Sequence, residues 1–195
     1  MGDNSAFEQG IPNPDLINRP DSHPPNKEHL GTPCAVFRTI KREFAGEVTA
    51  RGILTKNNHM ATLAPELEAI FSEAARTHGK PERENCILAF PRDPRHEKQG
   101  LSYDPQEELL VKIQVDPKRA FVTDGEKYTE AGIRLKDERR KEDVVSWADS
   151  YYEDTMPLEE YLLKHHGQED DYGDFNFPEV HIPYDITPDK IEVIG

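Results

Sequence analysis

Several features that would assign a chain quickly are scarce or missing here. Two cysteines occur in 195 residues, Cys34 and Cys86. Neither belongs to a Cys-x-x-Cys pair or a zinc spacing, which excludes a disulfide-dense scaffold and a zinc module. Two reduced thiols is the simpler reading; one bridge between them is the alternative. No apolar run approaches the roughly 18 residues of a membrane span. The opening Met1 to Gly10 has neither the basic nor the apolar region of a secretion signal, so the expected compartment is the cytoplasm. A phosphate-cradling glycine loop, a nucleophile elbow and a defensible Cys/His dyad are all lacking. The histidines offer no metal site: His165 and His166 diverge on a helix, and His59, His78, His96 and His181 have no ligand spacing. The acidic stretch from Glu169 to Asp174 does not have the spacing of a calcium loop, which needs a glycine at its centre and a glutamate closing it, and reads as a solvated loop.

Basic charge is in deficit as well. The chain has 24 Lys and Arg against 38 Asp and Glu, a net charge of −14, which at long range repels nucleic-acid phosphates and anionic membranes. Yet Arg38, Lys41, Arg42, Arg51 and Lys56 fall in one early stretch. A polyanionic ligand such as a dinucleotide would be held there, and a locally positive site leaves nucleic acid open as a partner. With 35% hydrophobic and 32% charged residues, the folded part must be compact, highly charged outside, and joined to some unstructured sequence.

The prolines place that sequence. Pro12, Pro14, Pro20, Pro24, Pro25 and Pro33 interrupt residues 1–33 so often that neither helix nor strand can propagate. This reads as a flexible arm, or else as an extended strap anchored by Ile11, Leu16 and Ile17, preceding one domain over 34–195.

Within the domain, Ala35–Ile40 reads as a strand carrying one arginine, and Val48–Leu54 as a short extended piece leading into a turn. Leu63, Leu67, Ile70, Phe71 and Ala74 recur at spacings of three and four, which predicts an amphipathic helix over Ala64–His78. Cys86–Phe90, Leu109–Val115 and Ala120–Val122 read as strands, the last ending in a turn at Thr123-Asp124-Gly125. The charge run Lys136–Asp143 leads into a packed helical segment through Val144, Trp147 and Tyr151, and Met156–His166 reads as another helix. Val180–Ile182 and Ile191–Ile194 close the chain as strands. Scattered strands with two or three helices and no regular β-α alternation give an α+β class.

Two residues stand out chemically. An arginine within an apolar strand, Arg38, needs an anion if it is buried, and its planar fork suits a phosphate. Its plain alternative is a structural salt bridge or a strand edge facing water. Glu179 opens the apolar strand Phe177-Pro178-Glu179-Val180-His181-Ile182-Pro183. A carboxylate there can accept from a ribose hydroxyl and stabilise positive charge at an anomeric carbon; its plain alternative is a solvent-facing strand start.

These residues carry a resemblance. Val36–Arg42 followed by Ala50–Leu54, then Leu110–Pro117 leading to Phe121–Asp124, and finally Pro178–Ile191 with its Ile-x-Pro-x-x-Ile turn, together resemble the ADP-ribosyltransferase superfamily. The resemblance implies split, mostly antiparallel sheets with a few peripheral helices. It implies NAD as substrate, Arg38 on its phosphate, Glu179 as the catalytic glutamate, and release of nicotinamide as ADP-ribose passes to a protein, nucleic-acid or small-molecule acceptor. Tyr103, with Tyr128 or Trp147 as alternatives, would stack on a ring of NAD. Two departures bear on the acceptor. The strand Cys86–Phe90 has no hydroxyl where many members carry a Ser-Thr-Ser-like motif, and Phe177 stands where many carry Gln or Glu. The competing reading is a non-enzymatic module that binds a protein partner through its acidic surface.

Overall fold

The computed structural model describes residues 33–57, 64–96, 104–136, 140–165 and 175–195; residues 1–32, and with them nearly all of the proline-rich segment, lie outside that description. The elements are β1 (Cys34–Lys41), α1 (Ala45–Arg51), α2 (Pro65–Thr77), β2 (Ile87–Ala89), β3 (Glu108–Val115), β4 (Phe121–Asp124), α3 (Gly125–Leu135), α4 (Lys141–Glu153), β5 (Met156–Pro157), α5 (Leu158–Lys164), β6 (Pro178–Ile182) and β7 (Ile191–Val193). They form an α+β arrangement of two antiparallel sheets, ordered β1-β3-β7 and β2-β6-β4-β5.

The longest pairing, β1 on β3, runs from Cys34↔Val115 to Lys41↔Glu108. Its even-numbered members Val36 and Ile40 are buried and meet Val111, Ile113, Val122, Val180 and Ile182 in one apolar core between the sheets. The sheets join edge to edge at a single bridge, Phe37↔Phe90, with backbone hydrogen bonds of 2.8 and 2.6 Å. Beyond it β1 and β2 part, and the opening between them matters for the site.

Where periodicity is strong, elements fall where the sequence places them. Helix α2 begins with Pro65, which needs no N–H partner in the first turn, has Glu66 and Glu68 at its positive end and Arg76 at its negative end. Two segments differ. Val48–Leu54 is read as extended, but Ala45–Arg51 is helical and only Ile53 makes a strand-like bridge, to Ile186. Gly52 makes that change of direction: its φ is +82°, and a Cβ there would sit 1.9 Å from the Ile186 carbonyl oxygen. The turn expected at Thr123-Asp124-Gly125 is instead a helix start, since the Asp124 carboxylate accepts from Glu126 N–H and caps α3.

The helices number five among the described residues, not two or three, and three are not peripheral. Leu67 and Phe71 of α2, Ala131 of α3, and Val144, Ala148, Tyr151 and Tyr152 of α4 form a second core. Phe71 packs edge-on against Tyr128 and Tyr151, with ring centroids 5.0 and 5.1 Å apart. No described helix is long and apolar enough to cross a membrane.

Candidate functional site

Strand β6 lies between the two cores, and all five of its residues are buried. Alternation sends Val180 and Ile182 into the inter-sheet core and Glu179 and His181 to the other face, under α4. A carboxylate and an imidazole are thus enclosed where water would normally lie, and buried polar groups of this kind must find partners.

They find several. Arg83 grips Glu179 with two parallel bonds, Nε to Oε1 at 3.1 Å and Nη2 to Oε2 at 3.0 Å. Its remaining Nη1 donates to Glu68 Oε1 at 3.1 Å, and its guanidinium lies 3.8 Å from the ring centroid of Tyr128, whose hydroxyl donates to the same Glu68 oxygen at 2.6 Å. Tyr151 Oη lies 2.7 Å from both Glu179 Oε1 and His181 Nε2, while His181 Nε2 is 3.0 Å from Glu179 Oε1. Tyr151 has one proton to give. If it goes to the carboxylate, His181 Nε2 carries a hydrogen and donates toward the tyrosine oxygen and Glu179; this tautomer follows from the donor count. Glu68, Arg83, Tyr151, Glu179 and His181 are each under 10% exposed.

The electrostatics follow from this enclosure. Burial alone would raise the Glu179 pKa, but the Arg83 guanidinium and the His181 hydrogen bond outweigh it and hold the carboxyl well below the usual range. Burial and the adjacent Glu179 charge push Tyr151 far above an ordinary phenol. Burial raises the Cys86 thiol to about 12 and Cys34 to about 11, so neither offers a thiolate nucleophile at neutral pH.

Backbone contacts fix the entry to β6. Asp124 Oδ1 accepts from Phe177 N–H at 3.0 Å and Oδ2 from Asn176 N–H at 3.3 Å, and Gly125 N–H donates to the Phe177 carbonyl at 2.7 Å. A Cβ at Gly125 would come within 2.8 Å of the Phe177 ring and 3.3 Å of Glu179 Cβ, so the start of α3 approaches β6 this closely only with glycine. Thr123, opposite Glu179, donates its hydroxyl to the Tyr151 carbonyl at 2.7 Å.

Arg38 sits where β1 and β2 separate. Its Nη1 donates to the Leu88 carbonyl at 2.8 Å. It forms no ion pair among the described residues. Burial pulls its pKa below the ordinary guanidinium range, and the negative charge of Glu179 partly opposes this. Leu88 pairs across the ladder with His181, which contacts Glu179, so Arg38 and Glu179 belong to one neighbourhood without touching. Arg38 also lines a cleft of about 280 Å³ whose walls include Lys41, Phe44, Glu47, Ile53 and Leu54; Glu179 is not among its lining residues. Just past the lining residue Leu54, Asp185 Oδ1 accepts from Thr55 N–H and Oγ1.

The aromatic candidates lie elsewhere. Tyr103 is outside the described residues. The Tyr128 and Trp147 rings are on the helical core, where each is met by the chain's own arginine, Arg83 and Arg134. No group of three or more potential metal ligands occurs among the described residues. Sequence reasoning missed Glu68, Arg83 and the polar role of Tyr151. Arg83 has no local signal, because its partner Glu179 is 96 positions away. The one available hint was Glu179 and His181 on the same face of an otherwise apolar strand. In comparisons with known proteins, the chain matches no family model, no curated protein and no solved structure.

Proposed function

We propose that this chain is an ADP-ribosyltransferase-like domain that binds NAD as substrate, with Arg38 on the phosphates and Glu179 on the nicotinamide ribose. The observation that carries the reading is the Arg38 guanidinium: it is partly buried at a cleft wall, hydrogen-bonded to a carbonyl but to no carboxylate among the described residues, and within the field of the Glu179 charge. A cation in that state gains from an incoming phosphate. At about 280 Å³ the cleft is just below the usual range for small-molecule sites, so it holds one part of a dinucleotide.

In the reaction, the bond between the ribose anomeric carbon and nicotinamide breaks and its electron pair leaves with the now neutral ring. The ionised Glu179 stabilises the positive charge left on the sugar. An acceptor oxygen or nitrogen then bonds to that carbon and loses its proton. Phe177 packs edge-on against Phe90, centroids 5.8 Å apart, so no carboxylate aligns the acceptor from that position, and protein, nucleic acid and small molecules all stand as acceptor classes.

A second reading has its own observation. The Glu179 carboxylate is engaged by Arg83, Tyr151 and His181, as a purely structural ion pair would be, and this favours a non-enzymatic partner-binding module. The two separate in one experiment: nicotinamide release from NAD by the purified chain, with a cell-lysate acceptor pool, for wild type, Arg38→Ala and Glu179→Gln. Catalysis predicts release that falls at least about a hundredfold in both folded variants. No release and no calorimetric binding of NAD by the wild type would leave the module reading.

A further inference from the structure

Among the described residues, the Glu179 carboxylate is held unevenly. An ionised carboxylate offers about four acceptor positions, two on each oxygen. Oε1 faces three donors, Arg83 Nε, Tyr151 Oη and His181 Nε2, at 3.1, 2.7 and 3.0 Å, whereas Oε2 receives only Arg83 Nη2 at 3.0 Å. The two parallel bonds from Arg83 also fix the plane of the carboxylate, because a guanidinium and a carboxylate joined side by side are coplanar. Arg83 is itself prevented from turning by Glu68 and by the Tyr128 ring.

We propose that Arg83 is the positioning residue of Glu179, with Tyr151 as its auxiliary: together they occupy Oε1, set the carboxylate plane, and leave Oε2 as the oxygen that receives a hydroxyl of the bound nucleotide sugar. The inference rests on the reading of Glu179 as the group that engages NAD. Arg83 touches no substrate in this scheme. It acts by direction, and it also acts on charge, since without it burial would favour the protonated carboxyl, which cannot stabilise a developing cation.

The test uses the full chain and steady-state nicotinamide release from NAD across pH, for wild type, Arg83→Lys and Tyr151→Phe. Arg83→Lys keeps the charge but loses the fork. It should lower kcat about tenfold or more with KM changed less than about twofold, and should move the acid limb of the pH-rate profile up by about one pH unit. Tyr151→Phe keeps the packing, removes one bond to Oε1, and should move the same limb in the same direction by less; it carries the test if the lysine variant does not fold. A network that serves only stability would change melting without moving the limb. Active wild type with folded variants whose kcat and acid limb match it overturns the role of Arg83 alone. Wild type that releases no nicotinamide overturns the reading of Glu179, and the inference with it.

Discussion

The residues on the two faces of β6 are buried almost equally, by opposite means. On one face, Val180 and Ile182 join an apolar core in which their side chains need no directed partner, and close packing adds to the Phe37–Phe90 bridge in holding the sheets together. On the other, Glu179 and His181 are enclosed as completely, but only because Arg83, Tyr151 and Glu68 arrive from three other segments with matched donors and acceptors. The apolar face tolerates small errors of shape. The polar face does not tolerate loss of a partner, because a charge stripped of its counter-charge in the interior costs far more than a missing methyl group.

Removing a partner should therefore cost most. Arg83→Met strands two buried carboxylates and should destabilise by about 3–5 kcal/mol in urea unfolding, near the limit of what a domain this size survives. Ile182→Ala, one position from His181 on the opposite face, should cost about 3 kcal/mol through lost burial and a cavity. The sharper distinction is that its cost should be the same at pH 7 and pH 4, while that of Arg83→Met should shrink in acid as the carboxyls protonate.

Acid alone probes the same contrast. The folded Glu179 pKa is depressed below its ordinary value of 4.5, so its contribution is complete above the unfolded-state pKa and is lost as pH falls toward the folded one. Between about pH 5 and pH 3 this group should remove about 2 kcal/mol, at up to about 1.4 kcal/mol per pH unit. Urea midpoints for wild type and Glu179→Gln should converge over that window; parallel curves would mean that Arg83 does not hold the carboxylate ionised.

The smallest effect should come from Asp124→Ala, which removes the cap of α3 and the acceptor for Asn176 and Phe177. A loss of about 1–2 kcal/mol is expected. Amide exchange at Phe177 should quicken more than at Ile113 on the apolar side.

Legibility in the sequence follows the same division. Helix α2 and strand β3 were visible because their burial is apolar and periodic, so spacing alone reports it. Helix α3, reading Gly-Glu-Lys-Tyr-Thr-Glu-Ala-Gly-Ile-Arg-Leu, was not: it buries only Gly125 and Ala131, contains two glycines, and has Ile133 more than half exposed. Its apolar stripe is too thin to register, and its start is set by an Asp124 side chain that also holds a segment fifty residues away. Val48–Leu54 reads as extended in the sequence because α1 buries only Val48 and so shows no helical period, while the change of direction after it depends on Gly52 fitting against Ile186.

Arg38 and Glu179 were legible as charged residues placed among apolar ones, since polar groups in such positions demand an explanation wherever the chain goes. Their surroundings were not. That Arg38 would find a carbonyl where two sheets part, and that Glu179 would meet Arg83 from a short 3-10 helix and Tyr151 from a longer α-helix, depends on contacts between residues distant along the chain. By itself the sequence determined the apolar strands, the periodic helix, the acidic surface and the positions where a buried charge would need a partner, because each is a property of neighbouring residues. Only the tertiary structure decided which partners those charges received, because ion pairs and hydrogen bonds act over a few ångströms in space and leave no periodic trace along the chain.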